Sequence, residues 1–248
     1  MHFTCENLLD DGIVERDFTL GAIPGTLWTP APAAAASSAA APLPLILMAH
    51  NNALPRREPR LVARARHTAA QGYAVASIDA AGCGERPRSA ADERARAELR
   101  RAARAGEPLD EVLESFVGPL VTGAVPEWRT ALDALLALPE IADGPVGYSG
   151  WAAVGIHLAA TEPRIAAAGL FAGGYVPLAQ REEARTVTVP LLFLLQWDDE
   201  GNPRERALEL FDAFAGKEKT LHANTGGHTG TPWFEVEDSG RFYDRHLK

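Results

Sequence analysis

Six short apolar runs, at Leu45 to Ala49, Tyr73 to Ile78, Val146 to Tyr148, Ala166 to Phe171, Leu191 to Leu195 and Thr220 to Ala223, constrain this chain more than any other feature. Each has the length of a strand and little polar alternation, as strands covered on both faces require. Helical patterns separate most of them. Trp128, Leu132, Leu135 and Leu136 mark one helix face before the third run, and Ala207, Leu210, Phe211 and Phe214 mark another after the fifth. This alternation predicts an α/β fold with a mostly parallel central sheet and helices on both faces. Ile13 to Leu20 and Ile23 to Thr29 add an antiparallel pair ahead of it, and the Pro/Ala/Ser-rich stretch from Pro30 to Pro42 reads as a surface loop.

At 248 residues, with no shift in composition along it, the chain is expected to form one domain over residues 1–248. One segment exceeds the minimal alternation. Ser89 to Val125 is helical in composition, with a break at Gly106-Glu107-Pro108, and follows the strand that ends near Asp79. It is expected to be a small helical cap insertion over residues 89–125, at the carboxyl edge of the sheet where open α/β folds bind ligands.

The formal net charge of −9 argues against a nucleic-acid surface, and the basic clusters at Arg56-Arg57 and Arg100 to Arg104 read as solvated helix faces. No apolar run has the length needed to cross a bilayer. Met1 to Glu6 lacks the basic start and apolar middle of a secretory signal, so a cytoplasmic location is expected. Cys5 and Cys83 make no disulfide framework, and their neighbours do not suggest a zinc site, so no metal is expected.

Ser149, Asp199 and His228 each follow an apolar run, in the chain order Ser, Asp, His. A serine nucleophile needs a base within hydrogen-bond reach and an acid that fixes the base's tautomer, and these three supply the types. Further pieces stand around them. Leu47 to Asn52 resembles a strand ending in His-Gly-Gly, Asp79 to Gly84 resembles an Asp-x-x-Gly-x-Gly turn, and Gly147-Tyr148-Ser149 through Glu162-Pro163-Arg164-Ile165 resembles a nucleophile elbow with the helix behind it. Asp199 with Pro203 and Gly226-Gly227-His228-Thr229-Gly230 match an acid turn and a base loop. Together these resemble the α/β-hydrolase superfamily, in its dienelactone hydrolase-like esterase branch, over Ile13 to Leu247.

That resemblance implies an α/β-hydrolase fold and a serine hydrolase acting on a small or medium carboxylic ester, thioester or lactone through an acyl-enzyme, with no cofactor. Ser149 would attack the acyl carbonyl, His228 would move the proton and Asp199 would orient the imidazole. The oxyanion donors would be the backbone N–H groups of Asn52 and Gly150, with His50, Asn51, Cys83 and Trp151 lining the pocket. The expected partner is a small-molecule substrate, with no nucleic acid and no membrane; homo-oligomerisation stays open.

The chain departs from the pattern at the site. Trp151 stands where the elbow has its last glycine, Asn51 and Asn52 replace glycines, and Cys83 stands where histidine is common. A second register is also open: Gly150-Trp151-Ala152-Ala153-Val154 as the elbow, which puts Ala152 at the nucleophile position and leaves no nucleophile. The Ser149 register keeps a serine and the usual spacing to Glu162-Pro163-Arg164. Two other functions therefore stand beside ester hydrolysis: a non-hydrolytic lyase or cyclase type of enzyme with a remodelled site, and a non-catalytic relative that binds a small molecule. Asp198 competes with Asp199, and spacing to Pro203 selects Asp199. His67, His157, His222 and His246 fall in predicted helices or strands and read as packing or surface residues; Trp151, Trp197 and Trp233, near site positions, predict an aromatic pocket.

Overall fold

The computed structural model describes residues 1–32, 41–50, 54–84, 86–171, 174–228 and 230–248. Nine strands form one sheet: β1 (His2–Leu8), β2 (Ile13–Leu20), β3 (Ile23–Pro30), β4 (Leu45–Met48), β5 (Ala74–Ile78), β6 (Val146–Trp151), β7 (Ile165–Phe171), β8 (Leu191–Gln196) and β9 (Lys219–Asn224). Their order is β1-β2-β3-β5-β4-β6-β7-β8-β9, antiparallel from β1 through the β3–β5 pair and parallel from there on. The order reverses around β4, between β5 and β6, and such a switch point opens a crevice beyond the carboxyl ends of the strands.

The sheet is covered on both sides. Helices α1 (Pro59–Ala70), α2 (Ala90–Ala105), α3 (Asp110–Leu136), α4 (Ala152–Thr161), α5 (Leu178–Ala184), α6 (Arg204–Ala213) and α7 (Trp233–Leu247) complete the fold. Strand alternation sorts the core into two layers. Leu45, Leu47, Tyr148 and Leu170 pack with Val121, Trp128 and Leu132 of α3 and Ile156 of α4. Ile46, Met48 and Val75 face the opposite way, against Leu61 and Ala65 of α1 and Tyr243 and Leu247 of α7. No helix of the described residues is long and apolar enough to cross a membrane.

Two elements depart from expectation. Strand β1 is an edge strand paired with β2 and almost wholly exposed, so it carries no apolar alternation by which to find it. The segment expected as a cap over 89–125 forms α2 and the first half of α3, and α3 runs 27 residues without a break through Pro119 and Pro126. Each proline removes one backbone bond, but Val117, Leu120, Val121, Ala124, Val125, Trp128, Ala131, Leu132 and Leu135 keep one continuous buried face, and that packing holds the helix together.

Candidate active site

The loops at the carboxyl ends of the central strands surround a cavity of about 220 Å³. Ala49 and His50 after β4, Gly150 and Trp151 of β6, Phe171 of β7, and Leu194 and Gln196 of β8 form its floor and walls, and His228 closes one side. Glu58, Arg60 and Arg64 reach it from the start of α1. That end of α1 is set by Glu58, whose carboxylate accepts from the Leu61 N–H at 3.0 Å, and by Pro59 in the first turn.

Asp199 and His228 come together as the sequence suggests. His228 Nδ1 stands 2.9 Å from Asp199 Oδ1 and 3.1 Å from Oδ2. The carboxylate is buried and also accepts the backbone N–H groups of Gly201 at 2.8 Å and Asn202 at 3.0 Å, so its orientation is set by the turn itself. A carboxylate only accepts, so Nδ1 carries the proton and Nε2 keeps its lone pair. The His228 N–H donates to Glu200 at 3.0 Å, fixing the base loop. Asp198 is exposed, and Asp199 is the acid in contact with His228.

Ser149 is not brought to this pair. It lies inside β6, in register with Met48 of β4 and Gly169 of β7, two residues before the strand ends. Alternation turns it, like Gly147, toward the α1/α7 side, and there its Oγ accepts from Arg64 Nη2 at 2.7 Å. Ser149 is buried, is not part of the cavity wall and makes no hydrogen bond to His228. The strand-to-helix turn falls at Trp151 and Ala152 instead, with Ala152 the first residue of α4.

Gly150 explains why. Its φ is 141°, and a Cβ there would overlap the carbonyl oxygen of Ala49, just after the neighbouring strand β4. This is the close approach that the first glycine of an elbow permits, so Gly150-Trp151-Ala152 occupies the turn and the Ala152 register is the one the fold adopts. Ala152 is fully buried. Among the described residues no non-glycine has positive φ, so the strained backbone of a nucleophile elbow is missing at this turn.

The remaining expected residues divide. Gly150 and Trp151 line the cavity, but Gly150 sits within β6, paired with Leu170, and the open N–H groups at the start of α4 belong to Ala152 and the residues after it. Asn51 and Asn52 lie outside the described residues. His50 lines the cavity with Nε2 3.5 Å from Glu58. Cys83 does not line it; it borders a separate space of about 20 Å³ with His50 and Trp128, and burial pushes its thiol up to about 11. Of the three tryptophans only Trp151 reaches the cavity. Trp197 is exposed beneath the Arg204 guanidinium, and Trp233 is exposed against His67. His222 bonds Glu235, His157 bonds Glu183 and His246 approaches Glu218, all away from the cavity. Among the described residues the α2–α3 pair gives the cavity no wall.

Arg64 and Gln196 were not anticipated. Arg64 did leave a signal: it occupies a position of the stripe Leu61, Arg64, Ala65, Thr68, Ala69, the buried face of α1, where an apolar residue is the rule.

No protein-family model matches the chain, and no curated protein is detectably similar to it in sequence. Solved structures are similar. A cold-adapted esterase from an Arctic intertidal metagenomic library is 25% identical, with a TM-score of 0.74 over 100% of both chains. An acetyl xylan esterase from Paenibacillus sp. R4 is 16% identical, with a TM-score of 0.70 over 99% of this chain and 88% of that one. A candidate dienelactone hydrolase from Klebsiella pneumoniae is 13% identical, with a TM-score of 0.64 over 94% and 97%. The chain is thus an α/β-hydrolase-fold protein similar to dienelactone hydrolase-like esterases, with an atypical turn after its central strand.

Proposed function

We propose that the protein is a carboxylic ester hydrolase in which His228, held by Asp199, activates a water molecule directly. The observation that carries this reading is the Nδ1–Asp199 contact of 2.9 Å, which leaves Nε2 as a base on the wall of a cavity at the sheet's switch point. Its likeness to esterases of known structure supports the substrate class. Acyl-enzyme formation at Ser149 has no support in the geometry, because that hydroxyl is enclosed in β6 and engaged by Arg64.

In this reaction Nε2 takes a proton from water as its oxygen attacks the ester carbonyl. The charge that develops on the carbonyl oxygen is met by backbone N–H groups at the start of α4, where no intrahelical acceptor exists. His228 then returns the proton to the departing alkoxide, and the acid and alcohol leave without a covalent intermediate. A general base contributes roughly 10² to 10⁴-fold, and a site with no nucleophile works at that level and not at a full triad's. The location carried with this reading is cytoplasmic.

Hydrolysis of short-chain 4-nitrophenyl esters tests it. The natural protein should hydrolyse them, His228→Ala should lose that activity, and a fluorophosphonate should leave Ser149 unlabelled. Turnover unchanged in His228→Ala, or an adduct on Ser149, overturns it. A second reading, ligand binding without turnover, is favoured by one observation, the fully buried alanine at the turn; it takes over if no ester is cleaved.

A further inference from the structure

Three side chains of metal-binding type meet between strand β9 and helix α7. His222 comes from β9, and Glu235 and Asp238 stand one turn apart on α7, so a single helix face presents both carboxylates to the strand. One ring nitrogen of His222 and one oxygen from each carboxylate lie within 4.8 Å of one another. None of the three lines the cavity.

The support around them is built. Glu235 is 3% exposed; its Oε2 stands 2.7 Å from His222 Nδ1, and its Oε1 accepts from Asn224 Nδ2 at 2.7 Å. Asn224 follows His222 by two positions and shares its face of β9, so the strand grips the carboxylate at both oxygens. A hydrogen bond of this kind fixes the orientation of a ligand before a metal arrives. Charge points the same way. Glu235 places a carboxylate where water hardly reaches, and among the described residues no Lys or Arg stands within ion-pair distance of it. Asp238 brings a second acid beside it, and Arg241, its partner, is exposed, where an ion pair contributes little. A dication between the two carboxylates offsets both their burial and their repulsion.

We infer that His222, Glu235 and Asp238 form a site for a divalent transition-metal ion, best matched by zinc, which ties β9 to α7 at the base of the loop that carries His228. Zinc accepts mixed nitrogen and oxygen donors at about 2.0 to 2.2 Å in a tetrahedral arrangement, and three protein ligands leave the fourth position to water. Magnesium and calcium favour oxygen donors alone. The contact between Nδ1 and Oε2 opens by about half an ångström to reach the tetrahedral spacing. The proton on Nδ1 gives way to the ion and is carried by Nε2 of the same ring. The site is independent of ester hydrolysis in the cavity. His222 and Glu235 are 13 positions apart, so no short ligand spacing marks them, and the expectation of no metal drew on Cys5 and Cys83.

Zinc chloride titrated calorimetrically into protein stripped with EDTA tests the site, with thermal midpoints followed with and without zinc. The same titration is run on His222→Ala, Asp238→Asn, His228→Ala and Cys5→Ser. We expect the natural protein to bind a single zinc ion tightly, and His228→Ala and Cys5→Ser to bind it equally well. Asp238→Asn should weaken binding about ten-fold or more and His222→Ala about a hundred-fold. Zinc should raise the midpoint of the natural protein and leave that of His222→Ala in place, and excess magnesium or calcium should not displace it. Absence of zinc binding, equal binding by Asp238→Asn, or binding lost in Cys5→Ser or His228→Ala overturns the site. Asp238 is partly exposed, so its variant decides the matter if His222→Ala does not fold.

Discussion

Arg64 Nη2 stands 2.7 Å from Ser149 Oγ, tying helix α1 to the central strand at the level where the strand enters the site. The serine is thereby an acceptor for a buried cation, and its hydroxyl faces the α1/α7 layer while His228 stands beyond the carboxyl end of the sheet. Ser149→Ala should leave hydrolysis of neutral esters within about two-fold of the natural rate. It should lower stability by about 1 to 3 kcal/mol, because the guanidinium loses its acceptor in a buried place. Urea denaturation and a rate assay on the same preparation check both halves.

Asp199→Asn preserves the shape of the acid turn but removes the charge that holds the imidazole proton on Nδ1. An amide can present its N–H to Nδ1 and shift the proton to Nε2, leaving no base toward the cavity. Ester hydrolysis should fall about 10²-fold or more, with little change in binding of a non-hydrolysed ligand. Comparing kcat with the inhibition constant of a non-hydrolysed amide analogue of the ester measures the two separately.

Gly150→Ala strikes the turn itself. The added methyl would meet the Ala49 carbonyl, and a φ of 141° is closed to a side chain. The substitution should cost about 3 kcal/mol or more, among the largest of any single change in the protein. A thermal melt shows it as a large drop in midpoint, whereas Gly106→Ala, at a helix end with open space around it, should cost about 1 kcal/mol.

Cys83 is buried and its thiol is pushed from 9.0 up to about 11, chiefly by desolvation. The folded state therefore holds this proton more tightly than the unfolded one, and the stability it lends is present below pH 9 and lost as pH rises through about 11. Native protein at pH 8 should react with a thiol reagent only at the exposed Cys5, and Cys83 should react after unfolding. In Cys83→Ala the decline of stability between pH 9 and 11 should be shallower, measured by denaturant titration across that range.

The sequence alone determined the architecture. Runs such as Leu45 to Ala49 and Leu191 to Leu195 are buried on both faces and can only be central strands, and the order of strand, helix and loop signals placed Asp199 and His228 where they pair. Both reports come from local chemistry: apolar length, a proline four residues after an acid, glycines flanking a histidine. Strand β1 and the unbroken α3 escaped because edge pairing and packing over two prolines are decided by neighbours distant in the chain. The turn after β6 was also a tertiary decision. Ser149 and Ala152 are three residues apart, and what chose between them was the carbonyl of Ala49 just after the adjacent strand, which admits only glycine at position 150 and so carries the strand past the serine. The unbonded amide of Gln196 likewise exists only in the folded protein, because packing at the end of β8 buries it without a partner among the described residues. A chain records which groups it has; which of them are left without partners is settled by packing.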